Sequence, residues 1–213
     1  HMSREIEGTR EMPRRSILVS AAVILLIALG LGSYALLTRQ MHQQQGTGIA
    51  LVGGPFTLTD QDGRRVTDKD FLGKYMLVFF GYTFCPDVCP TELQVMSAAL
   101  DQMGPQAARI QPVFVSIDPA RDTPEVLKAY VGNFGPRLMG LTGTAEEVAN
   151  IARAYRVYYA KAGNSSSPTD YLMDHSSIIY LMGPDGRFVK HMTCTTDAAK
   201  LARELREALT PSS

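Results

Sequence analysis

The hydrophobic positions of this chain fall into runs, alternations and helical stripes, which together predict strands and helices in a definite order. Two near-continuous apolar runs, at 75–80 and 113–117, are typical of strands buried on both faces of a sheet. Short strand-like segments flank turn sequences at 61–64 and 183–186, and they predict two β-hairpins. Two shorter strand candidates lie at 138–141 and 157–160.

Apolar residues spaced three or four apart predict the helices that alternate with these strands. One such stripe, at 93–103, follows the first buried strand. A second helix is expected after Thr123-Pro124, and a third begins with the capping box at 144–147. An amphipathic stripe at 198–209 predicts a closing helix. The order hairpin, βαβα, then ββα indicates an α/β sheet covered on both faces.

The N-terminal region carries a different pattern, a stretch without charge at 16–38. Its 23 residues would reach about 34 Å as a helix, enough for a bilayer core of about 30 Å, so they predict one transmembrane helix. Arg14 and Arg15 precede the stretch, and the positive-inside rule then places the N-terminus in the cytoplasm. A cleaved signal peptide is the alternative, because Ser33-Tyr34-Ala35 has the small residues of a cleavage site.

These patterns divide the chain into four parts. The first part, residues 1–15, is a cytoplasmic segment in which His1-Met2 resembles a cloning remnant. The other three parts are a transmembrane anchor at 16–38, a polar, glycine-rich tether at 39–54 and one domain at 55–210. The domain would face the periplasm from a bacterial inner membrane, or the intermembrane space of a mitochondrion if the source is eukaryotic. With 21 basic and 21 acidic side chains the formal net charge is zero, which excludes a generally basic nucleic-acid binder.

Two of the three cysteines occupy the turn between the first buried strand and the next helix. Cys85 and Cys89 are four residues apart, and Pro90 requires the helix to begin near it. The backbone N–H groups and dipole of a helix N-terminus stabilise anions, so thiolates are favoured there. Side chains four apart share one helix face, so the pair could bind a metal ion or oxidise to a disulfide. Two thiolates suit a soft ion such as Cu(I), or Cu(II) with an added imidazole, better than a structural zinc site.

The residues alone leave other interpretations open. A plain structural disulfide is one, although so small a loop would add little stability. His42, His175 and His191 are the candidate third ligands, and each by itself is better explained by a packing, surface or tether position. Cys194 leaves an odd cysteine count. A partly buried, inert thiol is its first interpretation, with intermolecular pairing or a copper contact as alternatives.

Three segments, in this order and spacing, resemble the signature of the Sco/SenC family of copper-binding assembly proteins. They are GYTFCPDVCP at 81–90, DPARDTP at 118–124 and DHS at 174–176. The resemblance extends over about residues 53–209. It implies an α/β, thioredoxin-like domain with an N-terminal β-hairpin and an additional hairpin, preceded by one transmembrane helix.

The same resemblance implies a metal site and a role. The copper ligands would be Cys85, Cys89 and His175, and Asp174 would be the neighbouring acid that orients the imidazole. The role would be copper delivery to, or thiol reduction of, the dinuclear copper site of cytochrome c oxidase subunit II. Another copper chaperone or a thiol reductant would be a further partner.

Two other functions remain as alternatives. A thiol–disulfide oxidoreductase would use Cys85 and Cys89 as a redox pair that reduces the cysteines of a partner, without needing His175. The three residues between the cysteines, instead of two, and the sequence His175-Ser176-Ser177 in place of a proline count against a thioredoxin-type enzyme. A peroxidase needs one activated cysteine in a polar cage, and a second cysteine with a proline after each counts against it.

Overall fold

A computed structural model describes Ile27, residues 30–33, and residues 51–210 apart from 164–166, 168–169 and 195–196. Among these residues no helix has the length and apolarity to cross a membrane, and this finding corrects the prediction of one transmembrane helix over 16–38. Ile27 and 30–33 are helical, but a crossing needs about 20 residues. The rest of the predicted anchor lies outside the described residues. The charge-free composition of the segment was therefore not enough to establish a span.

The chain divides into two compact units, His1–Ala50 and Leu51–Ser213, and all strands and helices named below belong to the second. Its described strands are β1 (Thr57–Asp60), β2 (Arg65–Thr67), β3 (Tyr75–Gly81), β4 (Ile110–Ser116), β5 (Met139–Thr142), β6 (Tyr159–Ala162), β7 (Leu172–His175), β8 (Ile178–Met182) and β9 (Phe188–Thr193). Its α-helices are α1 (Val88–Met103), α2 (Pro124–Val131), α3 (Ala145–Ala154) and α4 (Ala198–Leu209).

Seven strands form one mixed sheet in the order β2-β1-β5-β4-β3-β8-β9. Strands β3, β4 and β5 are parallel, as expected for a βαβα succession, while β1 and β8 join them antiparallel. All of β3 except Tyr75 is buried, which explains its continuous apolar sequence. Gly81 and Ser116 pair at the ends of β3 and β4, so the loops that follow these two strands leave the same edge of the sheet.

The predicted α/β organisation is confirmed in most of its elements. The apolar runs at 75–80, 113–117 and 138–141 correspond to β3, β4 and β5. The two predicted hairpins are β1–β2 and β8–β9, and both pair antiparallel. The four predicted helices are present, and Thr123 and Thr144 cap α2 and α3 by accepting backbone N–H groups.

A separate two-stranded sheet, β6–β7, was only half predicted. The strand candidate at 157–160 overlaps β6, whereas β7 was missed because its sequence, Leu172–His175, is half polar and has no buried residue. The register places Tyr159 opposite His175 and Ala160 opposite Asp174. His175 therefore ends a strand of its own hairpin and does not simply precede β8.

Candidate metal centre

The cysteine pair lies where β3 leaves the sheet and α1 begins. Helix α1 starts at Val88, so Cys89 and Pro90 are its second and third residues, and Pro90 needs no hydrogen-bond partner there. The backbone N–H of Cys89 donates to Sγ of Cys85 over 3.4 Å. Cys89 is fully buried, whereas Cys85 is half-buried. The loop before the helix therefore offers a partly accessible sulfur, Cys85, and the first turn of the helix an enclosed one, Cys89.

The imidazole of His175 reaches this pair from the end of β7. Its Nε2 lies 3.5 Å from Sγ of Cys89. Its ring packs edge-on against Tyr82, with centroids 6.0 Å apart, and against Phe79 at 6.2 Å. The sulfurs of both cysteines and a ring nitrogen of His175 lie within 4.8 Å of one another. Two parts of the chain that are far apart in sequence thus place three metal-binding atoms around one point.

The second ring nitrogen of His175 fixes how the ring is protonated. Nδ1 lies 3.1 Å from the carbonyl oxygen of Ser176. A carbonyl only accepts hydrogen bonds, so this contact requires Nδ1 to carry the proton. In the neutral ring, the lone pair of Nε2 then faces the sulfurs, which is the form that binds a metal ion.

The two thiols share a single proton very unequally. The hydrogen bond that the Cys85 sulfur accepts from the Cys89 S–H is the main reason that the pKa of Cys85 falls to about 3; the backbone N–H groups of Cys89 and Asp87 contribute, while burial opposes the shift. The same hydrogen bond, together with burial, raises the pKa of Cys89 far above its ordinary value. At neutral pH the pair is therefore a Cys85 thiolate beside a Cys89 thiol. A cation that enters the site would favour loss of the second proton, because it neutralises the added negative charge.

Among the described residues, Asp174 and His191 are not members of the donor cluster. Asp174 is exposed on β7, and among the described residues the hydrogen-bond partner of Nδ1 of His175 is the Ser176 carbonyl, so an orienting role for Asp174 stays a prediction. His191 is exposed on β9 and stacks on Phe188. His42 lies outside the described residues.

Cys194 is a free, half-buried thiol, in agreement with its first interpretation. Burial, together with the nearby carboxyl group of Glu92, raises the pKa of Cys194 to about 12. It is therefore protonated at neutral pH, and it is not one of the three clustered donors.

Sequence reasoning included Tyr82 and Asp122 in the family signature but missed that they hold the two halves of the site. The Tyr82 hydroxyl accepts the backbone N–H of Met173 on β7 over 3.1 Å. Asp122, fully buried, accepts from both the backbone N–H and the hydroxyl of Thr83. The signal that could have found Asp122 is the charged sequence Asp118–Asp122 directly after an apolar strand, since buried charges need partners. Its contact with Thr83 spans 39 residues and leaves no local pattern.

Comparison with known proteins decides the family. A family model described as SCO1/SenC matches residues 44–210. The chain belongs to the SCO1/SenC family. Among curated SCO1/SenC proteins, human "Protein SCO1 homolog, mitochondrial" is 44% identical over 174 residues, which cover 81% of this chain and 58% of the human protein. The chain spans about half the length of the first curated relatives it matches, between 42% and 58%.

Solved SCO1/SenC structures share the fold described above. Arabidopsis thaliana ScoI, solved with copper bound, is 43% identical with a TM-score of 0.69, and the match covers 74% of this chain and 98% of that one. Bradyrhizobium japonicum ScoI, also solved with copper bound, is 47% identical with a TM-score of 0.68 over 74% and 99% of the two chains. The expected family and the thioredoxin-like α/β fold are confirmed. The human and mouse relatives are mitochondrial proteins by name, which is consistent with the eukaryotic alternative for localisation.

Proposed function

We propose that this domain binds one copper ion through Cys85, Cys89 and His175 and delivers it to the dinuclear copper site of cytochrome c oxidase subunit II. The observation that carries the proposal is the meeting of two sulfurs and one imidazole nitrogen within 4.8 Å. Thiolate and imidazole are the ligands preferred by copper, and three donors fall short of the four of a structural zinc site. The copper bound in related ScoI structures supports the choice of metal.

The protonation of the site suits it to capture and release a soft cation. Cys85 is already a thiolate and is the more accessible sulfur, so it meets the ion first. Nε2 of His175 is held with its lone pair toward the sulfurs by the Nδ1 contact with Ser176. Cys89 joins by losing its proton, so binding releases a proton and weakens as the pH falls. Copper is the cargo of this cycle, and the protein supplies three prearranged donors.

The test compares copper content and the absorption spectrum of reduced protein with those of three variants. Cys85→Ala, Cys89→Ala and His175→Ala should each lose the single copper ion during passage through a column that contains a competing chelator. His191→Ala is the matched control, because His191 is exposed on β9 and away from the donors, and it should retain the ion. Stoichiometric copper that survives all three substitutions would rule out this site.

A thiol–disulfide oxidoreductase is the second candidate, and the low pKa of the Cys85 thiol favours it. The Cys85 thiolate would attack a partner disulfide, forming a mixed disulfide and releasing one partner thiolate. Cys89, after losing its proton, would attack the Cys85 sulfur and release the second partner thiol. Two electrons pass to the partner, and a Cys85–Cys89 disulfide remains. His175→Ala separates the candidates, because full reductase activity without copper binding would favour this one.

A further inference from the structure

The loop that follows β4 lies between the cysteine half and the histidine half of the metal centre. On the cysteine side, the Asp122 carboxylate accepts the Thr83 backbone N–H at 3.1 Å, the Thr83 hydroxyl at 2.6 Å and the Ser116 hydroxyl at 2.6 Å. Thr83 is two residues before Cys85. Asp122 therefore ties the start of the cysteine loop to the end of β4.

On the histidine side, Arg121 contacts Tyr171, the residue directly before the strand that carries His175. One guanidinium nitrogen donates to the backbone carbonyl of Tyr171 over 2.9 Å, and the guanidinium carbon lies 3.6 Å from the centroid of the Tyr171 ring. Nε donates to Asp118 over 2.5 Å, and the Tyr171 hydroxyl donates to the other Asp118 oxygen over 2.7 Å. Tyr171 immediately precedes β7 and is four residues before His175.

The same guanidinium also touches the cysteine loop. Its central carbon lies 4.5 Å from the ring centroid of Phe84, the residue directly before Cys85. The side chain of Arg121 is only 10% exposed, so these contacts are shielded from water, where cation–π and charged contacts are stronger. A single planar group thus bridges the two loops that supply the ligands.

The β6–β7 hairpin depends on such external contacts for its position. It pairs with no strand of the main sheet, and neither of its strands contains a buried residue. Two-stranded hairpins are marginally stable by themselves, so tertiary contacts must fix where their side chains point. The Arg121–Tyr171 contact and the Tyr82–Met173 hydrogen bond supply two of these contacts.

We propose that Arg121 is a positioning residue of the metal centre, holding Tyr171 and Phe84 together so that His175 faces the cysteine pair before copper arrives. This inference rests on the proposed copper site but concerns a residue that is not one of its three donors. Lysine cannot replace arginine here, because one ammonium group cannot stack on Tyr171 while donating to both Asp118 and a backbone carbonyl.

The test is Arg121→Lys, which keeps a positive charge beside Asp118, with Arg137→Lys as its matched control. Arg137 forms an exposed ion pair with Asp101 on another part of the domain. Cu(I) affinity is measured by competition with a chromogenic chelator. Apo protein is examined by NMR for nuclear Overhauser effects between the rings of His175 and Tyr82. Arg121→Lys should lower the affinity at least about tenfold and lose these effects, as expected for a group that orients a ligand. Arg137→Lys should change neither.

An unchanged affinity or unchanged ring contacts in folded Arg121→Lys would overturn the inference. If that variant does not fold, Tyr171→Leu, which removes the stacked ring and its hydroxyl, must give both effects instead. Failure of the wild-type protein to bind copper would refute the proposed function alone, and the ring contacts of the apo protein would then decide the role of Arg121.

Discussion

Gly81 lies so close to the buried sulfur that adding one methyl group at this position should disturb the metal centre. A Cβ at Gly81 would lie 2.8 Å from Sγ of Cys89 and 2.8 Å from a ring carbon of Phe114, whereas ordinary van der Waals contacts begin at 3.4 Å. The backbone of Gly81 has negative φ and adopts a strand conformation, so alanine is not excluded by backbone strain. The whole effect of Gly81→Ala is therefore steric.

The size of the effect follows from these distances. Sγ of Cys89 must move by at least about 0.6 Å, the difference between 3.4 Å and 2.8 Å, because Phe114 on the other side is buried in the core. Ligand atoms need to be held within about 0.5 Å of their working geometry. We expect Cu(I) affinity to fall about tenfold or more, which corresponds to about 1.4 kcal/mol. Overpacking should also lower the free energy of unfolding by about 1–3 kcal/mol.

The assay is chelator competition for Cu(I), together with urea unfolding of the reduced apo protein. Gly132→Ala is the matched control, since a Cβ there meets nothing within 4 Å and the residue has helical backbone angles. It should leave both quantities close to those of the wild type. Wild-type affinity and stability in Gly81→Ala would refute the argument that the glycine makes room for the sulfur.

Three further predictions test other parts of the structure. Cys89→Ala should raise the pKa of Cys85, because Cys85 loses its hydrogen-bond donor, and alkylation of Cys85 in this variant should therefore slow as the pH is lowered from about 7 to 5. Alkylation in Cys89→Ser, which keeps a donor, should slow less, and equal pH profiles of the two variants would contradict this prediction. Burial raises the pKa of Asp122 above 3.8, so the folded state holds the carboxyl proton more tightly than the unfolded state does, and the free energy of unfolding should fall as the pH rises from about 4 through the raised pKa. Asp122→Asn should flatten this pH dependence in urea unfolding, and an unchanged slope would refute the prediction. Thr144→Ala removes the N-cap of α3 and should lower the free energy of unfolding by about 1 kcal/mol while leaving copper affinity unchanged, and a loss of affinity would show that the cap also serves the site.

The parts of the fold that sequence reasoning predicts are those with a strong local pattern. Strand β3 and the central part of β4, residues 112–115, are continuously apolar because both faces are covered, and α3 begins with a complete capping box. Strand order has no such signal. The insertion of β5 between β1 and β4 depends on long-range pairing that no local pattern encodes.

The candidate site likewise has parts with a local sequence pattern and parts without one. The spacing of Cys85 and Cys89 predicts a thiolate pair at a helix start, and helix α1 begins one residue before Cys89. Physical reasoning alone did not select His175, which is 86 residues from Cys89 and was chosen by family resemblance. The contacts of Arg121 with Tyr171 and of Tyr82 with Met173 span 50 and 91 residues of sequence, so they can be identified only from the folded structure.

The unequal exposure of the two sulfurs gives the proposed copper handover a direction. An acceptor protein can reach the half-buried Cys85, but Cys89 is 0% exposed. A ligand exchange must then begin at Cys85 and end at Cys89. When Cys89 finally releases the ion, its raised pKa makes it take up a proton from solvent, so the ion can bind fully again only if that proton leaves once more.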